Sequence, residues 1–223
     1  MMRFSCPRST RSLCWRLLPL LLLLLLSLPT SADQPLTGRI VYRHCIVCHG
    51  LHGEGSADGE SPRLAGMAQD YIERQLHTFK NENRINKPML PIFQHAQFDD
   101  NAIRLVSEYL AELNTPRLNL WPYRPNPAAR AAFDDHEAYI EAGRSLYRTD
   151  CAQCHGDDGT GNESHAAPPL VQQYPRYLLK QINDFTTGER EHEHSDRCIP
   201  PDDATADSLM HYLIELGHRA SLP

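Results

Sequence analysis

Long apolar runs are scarce in this sequence. One exists, Leu17 to Leu28, broken only by Pro19 and Ser27, and no second follows it. A bundle of membrane-spanning helices is thereby excluded, since each span takes ~20 apolar residues. No stretch alternates apolar and polar residues with period two for long enough to suggest a sheet. No nucleophile motif, phosphate loop or catalytic carboxylate pair stands out, so hydrolytic and phosphoryl-transfer chemistry have no foothold. An excess of basic residues is lacking too. The 22 Lys and Arg stand against 28 Asp and Glu, a formal net charge of −6. An acidic chain argues against nucleic acid and anionic lipid, and favours a partner with a basic patch.

The single apolar run belongs to a recognisable device. Arg3, Arg8, Arg11 and Arg16 precede it, and "LPTSADQ" follows with Thr30 and Ala32 at the −3 and −1 positions of a cut. A basic region, a short apolar core and a small-residue site read as a secretory signal over residues 1–32, which places the mature protein in the periplasm. An uncleaved anchor is the alternative. Cys14 stands before the apolar run, whereas a lipoprotein cysteine would stand after it. Membrane association is therefore expected only through a partner or an uncleaved signal. Removal of the signal leaves 18 basic against 28 acidic residues, a net charge of −10.

Cys6 and Cys14 leave with the signal, and five cysteines remain: Cys45, Cys48, Cys151, Cys154 and Cys198. An odd number is a poor disulfide framework. Four of them fall in "CIVCH" and "CAQCH", the covalent haem attachment pattern. Two thiols three residues apart can add to the two vinyl groups of one porphyrin. The histidine that follows then lies under the iron. His49 and His155 are thus expected as proximal ligands, with two covalent haem c groups. A thioredoxin-like pair would not need the histidine, and zinc would need further clustered donors.

A shift of 106 residues superposes the chain on itself without a gap from Cys45 to Arg84. Pro62 and Leu64 fall on Pro168 and Leu170, and Tyr71, Gln75, Phe79 and Arg84 on Tyr177, Gln181, Phe185 and Arg190. Upstream, "GRIVYRHC" matches "GRSLYRTDC" with one extra residue. One haem-binding unit is therefore repeated. Between the copies, "TPRLNLWPYRPNP" carries four prolines and reads as a semi-rigid linker. The expected domains are 33–114 and 132–223, joined by 115–131. Each is expected to be all-α. Tyr71, Ile72, Gln75, Leu76 and Phe79 keep helical spacing, as do Ile103, Val106, Leu110 and Leu113 behind a cap at Asp99. The second copy repeats this with Tyr177, Leu178, Ile182 and Phe185, then Leu209, Tyr212, Leu213 and Leu216.

The order CxxCHG, Gly-rich loop, "SPRLAG", "YIERQLHTFKNENR", a methionine and a last helix "AIRLVSEYLAEL" resembles the dihaem cytochrome c4 family over nearly the whole mature chain. The resemblance implies two tandem class I cytochrome c domains and electron transfer. It implies that Pro62 and Pro168 fix the proximal histidines through backbone hydrogen bonds, and that Met89 is the sixth ligand of haem 1. Met67 falls where the family usually has glutamine. The second domain departs from the pattern. "GEREHEHSDRCIPPDD" has no methionine and is about three residues shorter, and Met210 lies inside the final helix. His194, Cys198 and His192 are the donors left for haem 2, an open or water-bound sixth position being the further alternative. Counting back from the final helix favours His194, and an early deletion favours His192. The expected function is a periplasmic electron carrier or an electron-transfer subunit. The alternative is an enzyme with catalysis at haem 2, such as thiosulfate oxidation. Expected partners are redox proteins with a basic docking patch: a terminal oxidase, a membrane quinol oxidase complex or a flavoprotein subunit.

Overall fold

The computed structural model describes residues 35–94, 98–114, 116–192 and 199–220. Residues from Leu36 onward form one compact unit. The architecture is all-α. Among the described residues, the backbone pairing outside helices and turns is a single bridge between Asn162 and Ala167.

The first repeat is built from α1 (Gly38–Tyr42), the one-turn α2 (Ile46–His49), α3 (Gln69–Lys80), the short α4 (Leu90–Phe93) and α5 (Asp100–Glu112). Asp99 caps α5 by accepting from the Ala102 amide at 2.8 Å. The stripe behind that cap is buried as its spacing requires, with Ile103, Val106 and Leu110 almost wholly shielded. Both α1 and α3 pack on α5. Each such aliphatic side chain, fully buried, contributes roughly 1.5–3 kcal/mol. Met67 belongs to this core.

The second repeat follows the same order. It contains α7 (His136–Leu146), the one-turn α8 (Ala152–His155), α9 (Pro175–Thr187) and α10 (Asp203–Arg219), capped by Asp135 and Asp202. Helices α7 and α9 pack on α10. Met210 is in the core of α10, 1% exposed.

The extra residue of "GRSLYRTDC" is absorbed between α7 and α8. Tyr147–Cys151 forms a π turn, a wider coil that takes one more residue without breaking the helix. Tyr147 therefore keeps the role of Tyr42. Their hydroxyls donate to the Gly156 and Gly50 carbonyls at 2.5 and 2.7 Å.

Where the helices cross, glycine is required. A Cβ on Gly38 would collide with the Leu105 carbonyl, and one on Gly143 with the Ser208 carbonyl. These are the glycines of the matching "GR" pairs.

The proline-rich connection is more ordered than its composition suggests. Pro127–Ala131 forms α6, with Pro127 at its first position, where a missing N–H costs nothing. The preceding segment is pinned to α10 by Asp207, which accepts from the Tyr123 hydroxyl at 2.8 Å and the Asn126 amide at 3.2 Å. Tyr139 of α7 donates to the same carboxylate at 2.8 Å.

Candidate functional site

The helical turn α2 sets the chemistry of the first site. The His49 amide bonds to the Cys45 carbonyl at 2.9 Å, closing one turn. Residues three and four apart on a helix share a face, so both sulfurs and the imidazole lie on one side. The His49 ring is buried, and its Nδ1 lies 3.0 Å from the Pro62 carbonyl oxygen. A carbonyl can only accept, so Nδ1 carries the proton and Nε2 keeps its lone pair for a metal. The same arrangement recurs in α8, where His155 Nδ1 donates to the Pro168 carbonyl at 2.9 Å. The role expected of the two prolines is thus visible. Burial holds both imidazoles below the ordinary histidine range, although the carbonyl bonds pull the other way. A neutral imidazole is the form that binds iron.

Each turn opens on a cavity. The first, of about 510 Å³, is lined by Cys45, Cys48, His49, Pro62 and Met89. The second, of about 120 Å³, is lined by Cys154, His155, Pro168, Phe185 and His192. The apolar stripe of α9 faces this second cavity, so Leu178, Ile182 and Phe185 are only partly buried against protein. The donor sets fit haem: paired thiols, an oriented neutral imidazole and an apolar pocket. Cys151 is disulfide-bonded in this structure. One sulfur cannot carry both a disulfide and a thioether, so attachment there requires it reduced.

The distal donors are divided. Met89 shares the first cavity with His49, and His192 shares the second with His155. His194 and Cys198 lie outside the described residues. Met67 lines both cavities but is buried at 4% exposure within the core of the first repeat.

The two cavities also share Tyr71, Gln75 and Tyr177, and a polar bridge runs between them. The Arg84 guanidinium donates to Gln75 at 2.5 Å in its own repeat, and to Gln181 at 2.6 Å and Tyr177 at 3.3 Å in the other. Arg190 mirrors it, donating to Gln181 at 2.7 Å, and to Gln75 at 3.0 Å and Tyr71 at 3.2 Å across the boundary. Each guanidinium also lies over its own phenylalanine, Phe79 or Phe185. Sequence reasoning places these residues in the repeat but misses the bridge. The signal available was that Gln75 and Gln181 put a polar group on an otherwise apolar helical stripe.

A third link is Arg63, 1% exposed. Its Nε donates to the Gln172 carbonyl at 2.7 Å, while Gln173 donates to the Arg63 carbonyl at 3.1 Å. Burial lowers the Arg63 pKa to about 10.

Comparison with known proteins agrees with this geometry. The cytochrome c family matches residues 36–114 and 140–212, one segment per repeat. Cytochrome c4 of Pseudomonas aeruginosa is 27% identical over 172 residues, covering 77% of this chain and 80% of that one. The thiosulfate dehydrogenase electron acceptor of Stutzerimonas stutzeri is 29% identical over 189 residues, covering 78% and 80%. The crystal structure of reduced cytochrome c4 from Pseudomonas stutzeri has the same fold, with a TM-score of 0.63 at 21% identity. It covers 79% of this chain and 95% of that one.

Proposed function

The chain belongs to the cytochrome c family, in the two-haem form of the cytochromes c4, and from that premise we propose that it is an exported shuttle passing electrons between two redox proteins. The observation that carries the reading is the repeated turn, in which each imidazole is held by a proline carbonyl and faces one of two adjoining cavities. Each haem supplies a one-electron couple when bound. The protein's residues do the rest. Cys45 and Cys48, and Cys151 and Cys154, would hold each porphyrin covalently. His49 and His155 would offer Nε2 to an iron, and Met89, which lines the first cavity, would be the further donor there. Arg84 and Arg190 place positive charge between the cavities, where it stabilises acidic porphyrin substituents and the reduced irons.

Export follows from residues 1–32, which carry the signal pattern, and places the carrier in the periplasm. The partners are redox proteins with basic docking surfaces, matching the net charge of −10. Near the second cavity the exposed Asp157, Asp158 and Glu191 carry that charge. At the corresponding positions near the first stand exposed Leu51 and Ile85, with Val47 92% exposed between the cysteines. The two ends thus present different surfaces to donor and acceptor. A relative whose name makes it an electron acceptor of thiosulfate dehydrogenase points to an oxidoreductase as the donor class. Relatives named as cytochromes c4 and as electron acceptors do not favour catalysis at haem 2.

The test is haem content. Protein made with a cytochrome c maturation system retains two haems after acid extraction. A Cys151→Ala, Cys154→Ala variant retains one. Recovery of a wild-type chain without covalent haem removes the reading.

A further inference from the structure

We infer that His192 is the second axial ligand of haem 2, which makes this centre bis-histidine while haem 1 is His/Met. The inference rests on the two-haem reading above and assigns the one position that the sequence leaves open among three donors.

Two independent observations carry it. The first is register. Asp99 and Asp202 cap the final helices of the two repeats through the same bond, each accepting from the amide three residues on. They are therefore equivalent, although separated by 103 residues instead of the 106 that relate Arg84 to Arg190. Three residues are missing from the second loop, between Arg190 and Asp202. Arg84 and Arg190 occupy matching places in the polar bridge, each with its amide bonded to the carbonyl six residues back, Thr78 or Asp184. From Arg84 the chain takes five residues to reach Met89, and from Arg190 it takes two to reach His192. Forward from those residues, ten positions lead from Met89 to the cap at Asp99, and ten lead from His192 to the cap at Asp202. Counting back ten residues from the Asp202 cap arrives at His192 with the missing residues before it, whereas placing them after it arrives at Ser195, which is no haem-iron donor. The sequence-based count, which did not use the Asp202 cap, favours His194.

The second observation is distance. The His155 and His192 rings have centroids 6.3 Å apart, with planes inclined at 49°. A metal–imidazole bond is about 2.0–2.1 Å, and a ring centre lies about 1.1 Å beyond its nitrogen, so two imidazoles on opposite sides of one metal hold their centres roughly 6.2–6.4 Å apart. His155 spends Nδ1 on Pro168, so Nε2 is the nitrogen left for the metal. His192 is held by its surroundings. Phe185 meets it edge-on at 4.8 Å, and Arg190, two residues before it, is anchored to Gln181, Gln75 and Tyr71. Met210, the other methionine-based possibility, is 1% exposed within the core around α10.

The test uses the full-length holoprotein, with haem content measured first by mass. Fewer than two covalent haems would overturn the two-haem reading itself, and this assignment with it. With two haems present, reduced wild type should bind no carbon monoxide at haem 2. His192→Ala should bind one equivalent there, and added imidazole should restore the low-spin spectrum. His194→Ala and Cys198→Ala should behave as wild type. His192→Met gives a second route that keeps a ligand. Low-temperature electron paramagnetic resonance should change from the bis-imidazole to the imidazole–thioether type, and the haem 2 potential should rise. The assignment is overturned if haem 2 stays low-spin and closed in His192→Ala, if its spectrum is unmoved in His192→Met, or if His194→Ala or Cys198→Ala opens the iron instead.

Discussion

The imidazole tautomer is the smallest decision in this molecule, and a backbone carbonyl makes it. Pro62 and Pro168 each accept from an Nδ1–H, which fixes the ring and raises the basicity of the nitrogen left for iron. In the first repeat, Met89 sits at the N-cap of α4 and lines the same cavity as His49, where we propose it as the further ligand of haem 1. Thioether sulfur is soft and favours Fe(II), so this haem should have the higher potential of the two. Met89→Ala should let carbon monoxide bind reduced haem 1 in one equivalent, and Met89→His should lower its potential. Redox titration with gas-binding spectra checks both. A wild-type titration in which both haems are high and indistinguishable would argue for a methionine at haem 2 as well.

At the scale of elements, the helix crossings tolerate the least change. Helix α7 lies against α10 at Gly143, whose amide donates to Ser208 Oγ at 2.7 Å, and the Ser208 hydroxyl donates in turn to the Tyr139 carbonyl. A methyl group there meets backbone, which cannot rotate away. Gly143→Ala should destabilise the protein by about 1–3 kcal/mol, the usual cost of overpacking, seen as a lower urea midpoint with an unchanged slope. Ser145→Ala, on the exposed side of the same helix, should stay within about 0.5 kcal/mol. The π turn after α7 solves a different problem. One surplus residue is wound into the helix, and both the tyrosine bond to the glycine carbonyl and the placement of the cysteines survive.

For the whole molecule, the Arg84–Arg190 bridge couples the halves. Four of its hydrogen bonds cross between the repeats, and the acceptors named are neutral glutamines and tyrosines. A hydrogen bond to a charged group contributes about 1.5–3 kcal/mol. Arg84→Met should therefore lower stability by that order and lower the potentials of both haems, since a buried positive charge favours the reduced iron. Arg104→Met, at an exposed pair with Glu108, should change neither. Denaturation and redox titration of the same samples distinguish a bridge that only holds the halves together from one that also tunes them. Stability would fall in either case, but the potentials move only in the second.

Local chemistry determined the sites that sequence alone reveals. The CxxCH turns need only consecutive residues, so Cys45, Cys48, His49 and their copies are legible without a fold. The capping aspartate Asp99 and the apolar stripe behind it are equally local. The shift of 106 residues makes the duplication plain, because the cysteines, histidines, glycines, prolines and arginines recur at one constant offset. What the tertiary structure decided is everything that joins distant residues. Arg84 reaches Gln181, Arg63 reaches Gln172, and Asp207 holds Tyr123 against α10, and none of these pairings leaves a periodic trace. The distal ligand of haem 2 lies between the two kinds. Its donors and the spacing to the Asp202 cap can be read from the sequence, but that the His192 ring lies 6.3 Å from the His155 ring, with Arg190 beside it anchored to the other repeat, is decided only by the tertiary structure.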